Sequence, residues 1–180
     1  MNTRPTVVNN TLARPIDSAY QLAFNIAYRL HLAWTFLFRP ESHGVWVAAW
    51  FEGKLLLIKN SYRHSLTLPG GALERGETRP AAAMRELEEE VGIRARQEDL
   101  RFWGQYQSTV EYKLDHIIVY EIQFSHVPDI QLDNREVSWG EFCSPEQARH
   151  MDLFPALRSY LNDKTAHANR LARTRQSGST

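Results

Sequence analysis

The chain concentrates its acidic chemistry in one short stretch, where Glu86, Glu88, Glu89 and Glu90 stand in RELEEEV. On a helix, with Glu86 set at zero, Glu90 falls at about +40° and Glu89 at about −60°, so three carboxylates share one side. Glu88 falls at about 200° and points elsewhere. Carboxylates crowded together raise one another's pKa unless a cation sits among them. Hard oxygen donors at i, i+3 and i+4 suit magnesium or manganese, which keep several waters and bind substrate phosphates. Arg85 precedes Glu89 by four residues and is placed to orient it by a charged hydrogen bond. Glu77 stands just ahead and within reach of the same cluster, and the Gly70–Gly71 pair lets backbone approach where a side chain would obstruct. Taken alone, ELEEE reads as a solvated acidic face, because charge runs usually sit in water.

The elements that must carry these residues are legible from pattern. Thr78 caps a helix with Pro80 in its first turn, and Gly92 ends it after Val91. Ala83, Met84, Leu87 and Val91 make its apolar face. Gly44–Phe51 and Lys54–Lys59 read as strands joined at Glu52-Gly53 in a hairpin. A short strand at Ser65–Leu68 leads to Pro69-Gly70-Gly71, read as a turn that ends regular structure. Strands are expected at Phe102–Thr109, Lys113–Phe124 and Val137–Phe142, with helix following to about Leu161. Strands and helices interleave, which makes the fold class α/β or α+β.

Three segments follow: an N-terminal arm and amphipathic helix over 1–40, a central domain over 41–162, and a basic tail over 163–180 read as disordered. The helix from about Pro15 to Phe38 is largely apolar, yet Gln21, Asn25 and Arg29 draw a polar stripe along it. Arg29 and His31 would lie near a bilayer centre, so no integral span is expected; packing on the domain or on a partner comes ahead of peripheral membrane contact. Lys plus Arg equals Asp plus Glu at 21 each among 180 residues, which gives no electrostatic reason to expect duplex DNA as a partner. The single cysteine, Cys143, excludes an intrachain disulfide and points to a reducing, cytoplasmic compartment.

The stretch Gly71–Ile93 resembles the Nudix box, the motif of the Nudix hydrolases. Its places are filled by Gly71, Glu77, Arg85, Glu86, Leu87, Glu89, Glu90, Gly92 and Ile93 with no departure. At average residue usage a chance match at one start is rarer than about one in 10⁷. The resemblance implies an α/β/α sandwich around a mixed sheet, with the box as a loop–helix–loop beside it. It implies hydrolysis of a diphosphate linked to another moiety, usually a nucleoside, with magnesium or manganese as cofactor. Glu86, Glu89 and Glu90 would be the metal carboxylates, the Gly70 carbonyl a further ligand, and Arg85 and Glu77 their supports.

Glu89 is the first candidate for the base that takes the attacking water's proton, with Glu136 and Glu111 as candidates outside the box. Arg63, His64, Tyr106 and Glu136 are candidates for substrate contact. The partner is a small nucleotide or nucleoside diphosphate, and a homodimer is possible. A nucleotide-sensing domain without catalysis is the alternative, although such members often lose box carboxylates and none is lost here. A diphosphate isomerase would need an activated cysteine, and Cys143 has no evident activating neighbour.

Overall fold

The computed structural model describes residues 15–177. The expected N-terminal arm over 1–14 lies outside them, as do 178–180. Ten named helices and strands run in the order α1 (Pro15–Phe38), β1 (Glu41–Phe51), β2 (Lys54–Asn60), β3 (Gly70–Ala72), α2 (Arg79–Val91), β4 (Arg101–Ser108), β5 (Leu114–Phe124), β6 (Val137–Cys143), α3 (Pro145–Ala148) and α4 (Pro155–Ser177).

One mixed sheet orders its strands β4-β5-β1-β2-β6. β1 pairs with β5 in parallel over its whole length, from Glu41 opposite Leu114 to Phe51 opposite Phe124. Its other edge is divided. The hairpin end pairs with β2, and Gly44–Trp46 pairs antiparallel with β3. The hairpin turns through Glu52 and Gly53, both at positive φ, which suits the twist of the flanking strands. The split edge also corrects an expectation: Gly70 and Gly71 continue into a three-residue strand, because β1 offers the free backbone groups that a glycine pair can approach closely. The expected strand at Ser65–Leu68 makes only two isolated bridges, Thr67 with Ile58 and Leu66 with Leu153.

β1 is apolar without alternation from Val45 to Trp50 because it is covered on both faces. Val45, Val47 and Ala49 pack with Leu56, Ile58, Ala83, Leu87 and Val91 beneath α2. Trp46, Ala48 and Trp50 pack on the opposite face with Leu55, Leu57, Leu157 and Tyr160 beneath α4. These are the two core layers of the sandwich that the resemblance implied.

The tail departs from its reading. α4 runs on to Ser177 through the segment expected to be disordered. Lys164 binds both oxygens of Glu121 at 2.7 Å and lies over the Trp103 ring, Asp163 accepts a hydrogen bond from the Tyr106 hydroxyl at 3.0 Å, and Thr165 accepts one from Arg149 at 2.8 Å. Composition alone registers the charge of this segment and misses its partners. At the other end, α1 turns Gln21, Asn25, Tyr28 and Thr35 toward the domain; the Gln21 side chain donates to the Asn134 carbonyl at 2.8 Å.

Candidate active site

α2 forms as its sequence dictates. The Thr78 hydroxyl accepts from the Ala81 N–H, Pro80 sits in the first turn, and Gly92 closes the helix at φ 70°. Burying Ala83, Leu87 and Val91 against β1 and β2 fixes the helix's rotation, which in turn aims its acids. Arg85 is the hub. Its Nε and Nη2 donate to the two oxygens of Glu77 at 3.0 Å each, its Nη1 donates to Glu86 at 2.8 Å and Glu89 at 3.0 Å, and its Nη2 also donates to the Ala72 carbonyl at 3.1 Å. These bonds hold the Glu77 carboxyl below the usual carboxylate range, while burial pushes Glu86 up against the pull of Arg85.

Glu90 looks inward. It is 4% exposed, accepts from the Gly70 N–H at 2.7 Å and from the Asn60 amide at 3.3 Å. Burial raises its pKa well above the usual range, and the charges of Glu136 and Glu86 add to that rise. The carboxylate arc of α2 is about 100° wide, so its edges meet different surroundings: Glu86 and Glu89 line an open cavity of about 520 Å³, and Glu90 sits against the β3 backbone. Glu88 points away and pairs with Arg94 at 2.6 Å, as its angle required. A Cβ on Gly71 would stand 2.5 Å from Glu86 Oε1, so the glycine is what makes space for that carboxylate.

The far wall of the cavity comes from distant segments. Glu136 lines it and accepts from the Tyr62 hydroxyl at 2.7 Å. Arg63 lines it too, and is clamped by two bonds to Glu111, at 2.8 and 3.0 Å. Burial would lower the Arg63 pKa, but the Glu111 charge overrides it and raises it. Glu111 sits at φ 64° and also accepts from Tyr28 of α1 at 2.7 Å. Burial and that carboxylate push Tyr28 up to about 12. Two candidates for substrate contact lie elsewhere. His64 is exposed and off the cavity, and Tyr106 faces Asp163 and Trp103 at the α4 side of the sheet. In their place, α1 supplies His31, and β5 with the turn before it supplies Lys113 and Asp115. Asp115 is one of few buried acids, bound by Ser42 and, at 3.0 Å, Lys113. Its isolation among the apolar residues of LDHIIVY was the available signal.

Among the described residues no three His, Cys, Asp or Glu side chains are gathered as metal ligands. Arg85 explains this, since its Nη1 stands between Glu86 and Glu89 while Glu90 is turned to Gly70. The donor set nevertheless fits a hard divalent cation: its side-chain donors are carboxylate oxygens, and two of the three carboxylates line a cavity.

A family model described as the NUDIX domain matches residues 41–163. A curated relative, "Putative 8-oxo-dGTP diphosphatase YtkD" of Bacillus subtilis (strain 168), is 37% identical over 94 residues, which cover 52% of this chain and 56% of the relative. The chain thus spans little more than half the length of that relative. Among solved structures, the MutT protein from Methanosarcina mazei Go1 aligns with a TM-score of 0.65 and 22% identity over 72% of this chain and 96% of its own. A C. elegans Ap4A hydrolase binary complex aligns with a TM-score of 0.57 and 22% identity over 71% of this chain and 98% of its own. The NUDIX domain of Shewanella oneidensis NrtR, complexed with ADP ribose, aligns at 0.60 and 16% identity over 70% of this chain and 88% of its own. At these identities the structures establish the fold alone.

Proposed function

The chain belongs to the Nudix family, and from that premise we propose that it is a pyrophosphohydrolase, cleaving a diphosphate linkage in a nucleoside diphosphate derivative or related nucleotide. The observation that carries this reading is the Arg85 hub, which ties Glu77 to Glu86 and Glu89, two carboxylates lining a cavity large enough for a nucleotide. Glu86, Glu89, Glu90 and the Gly70 carbonyl would hold magnesium or manganese. When bound, such a cation polarises a phosphoryl oxygen and acidifies the attacking water.

The chain's own groups do the rest. Arg85 and Glu77 set the orientation of Glu86 and Glu89. Glu89, the most exposed of the box carboxylates that line the cavity, is the group assigned to take the water's proton. Glu111 bonds Arg63 and Tyr28, which supports giving that role to Glu89 instead. Glu136, held by Tyr62, and Arg63, whose guanidinium lies 5.6 Å from the centres of the Tyr62 and Phe154 rings, face the opposite wall and are assigned to substrate contact. The names of the similar proteins supply the first substrates to try: 8-oxo-dGTP, diadenosine tetraphosphate and ADP-ribose.

The test is phosphate release over that panel, with nucleoside triphosphates, nucleotide sugars and capped RNA added and a coupled phosphatase where needed. It is run with magnesium or manganese beside a Glu89→Gln control. A preferred substrate that needs both the metal and Glu89 is the expected result. Thermal shift with magnesium alone provides a second readout, since a cation that binds only the folded chain raises the melting temperature by mass action. Silence across the panel, with nucleotide still raising the melting temperature, would replace hydrolysis by nucleotide sensing.

A further inference from the structure

α1 lies outside the matched family domain, and it docks on that domain by its polar side. Gln21 reaches Asn134 at one end, Tyr28 reaches Glu111 in the middle, and Thr35 is fully buried near the other end. With Tyr28 set at zero on the helical wheel, the arc from about 120° to about 280° contains, between Ser18 and Phe38, only Ala19, Tyr20, Leu22, Ala23, Ile26, Ala27, Leu30, Ala33, Trp34, Leu37 and Phe38. Apart from its edge, where the Tyr20 ring meets the Arg135 guanidinium at 4.5 Å and Ala27 lines a cavity with Tyr62 and Glu136, this arc faces away from the domain. Leu30 is 69% exposed and Leu37 72%. Outside the arc, at about 80° near the helix's end, exposed Phe36 meets the exposed ring of Tyr112 edge-on at 5.0 Å and adds apolar surface there.

We propose that this face is a docking surface for a lipid bilayer carrying anionic headgroups, on which α1 lies in the plane of the interface. Charge decides the occupant. From Ser18 to Pro40 the chain has no acidic residue, while Arg29 and His31 bound the apolar arc at about 100° and 300° and Arg39 follows its end. Arg39 and Lys113, the latter paired with Asp115 at 3.0 Å, line a cavity of about 300 Å³ beside Tyr112, at headgroup level if the aromatic rings enter the interface. Width decides against a second copy. A two-helix seam needs only a narrow stripe, whereas this arc spans about 160°, and Phe36 and Tyr112 add apolar surface outside it. No helix among the described residues is long and apolar enough to cross a membrane, and the proposal requires α1 to lie on the surface, not across it. Because His31 also lines the cavity that holds Glu86 and Glu89, docking sets the mouth of the site beside the bilayer.

The experiment is sedimentation of the full chain with vesicles of phosphatidylcholine alone or mixed with phosphatidylglycerol. Binding to the mixed vesicles that weakens with added salt is expected. The Leu30→Ser/Leu37→Ser double variant should lose at least about tenfold in partitioning, with an unchanged melting temperature because both side chains face solvent. Arg29→Gln and Arg39→Gln should each cost about fivefold on the mixed vesicles and little on the neutral ones. Failure of the wild-type chain to sediment with either vesicle overturns the proposal, as does equal sedimentation of the double variant. A dimer by light scattering that the double variant dissolves, while vesicles capture nothing, would assign the face to a second copy and overturn it too.

Discussion

Two adjacent glycines offer a sharp separation of catalytic geometry from stability. In Gly71→Ala the new methyl carbon would stand 2.5 Å from Glu86 Oε1, 2.8 Å from its Cδ and 3.1 Å from Oε2. Non-bonded contact to carbon needs roughly 3.5 Å, so the carboxylate must move by about 1 Å. It can do so, because it is the end of a flexible side chain. The fold should therefore lose little, while a displacement of about 1 Å in a carboxylate proposed to bind the metal should cost about 10²-fold in kcat. In Gly70→Ala the methyl would strike backbone instead, at the Val45 carbonyl and at Trp46 Cα 2.8 Å away, on a residue at φ 148° that side chains rarely tolerate. Overpacking and backbone strain together come to about 3 kcal/mol or more, equivalent to a fall of roughly 6–12 °C in melting temperature. Steady-state kinetics at saturating magnesium, set beside thermal unfolding of both variants, reads the two effects separately. A Gly71→Ala variant with wild-type kcat, or one that melts as early as Gly70→Ala, would refute the reasoning.

Three further outcomes are expected. Glu90→Gln should abolish turnover and the magnesium-dependent thermal shift, whereas Glu88→Gln, which alters only the exposed pair with Arg94, should retain both; equal damage from Glu88→Gln would mean the helix register is misread. Tyr160→Phe removes the hydroxyl that accepts from buried Trp50 Nε1 at 2.8 Å and donates to Glu121, and urea unfolding should register a loss of about 1–3 kcal/mol. Burial pushes the Cys143 thiol up to about 11, so it should resist thiol reagents in the native state at pH 8 and react on unfolding. This raised pKa favours the neutral, folded form below the unfolded value of about 8.5, and that contribution is lost as pH rises through about 11, which pH-dependent denaturation of wild type against Cys143→Ala would detect.

Local rules were enough wherever one element decides the outcome. The cap at Thr78, the stop at Gly92 and the helical period separate Glu86, Glu89 and Glu90 from Glu88 with no tertiary information, since neighbours on a helix are set by rotation per residue. The two-faced burial of β1 is likewise written in its unbroken apolar run. What stayed hidden depends on contacts between distant segments. Arg63, Glu111 and Tyr28 meet across separations of 48 and 83 residues, and no spacing rule joins them. The same holds for the tail, whose charges read as disordered until Glu121, Tyr106 and Arg149 supply partners. α1 shows the division most clearly: its amphipathic pattern is in the chain, but which side meets the domain was decided by Asn134 and Glu111, whose partly buried polar groups gain more from Gln21 and Tyr28 than leucines could offer.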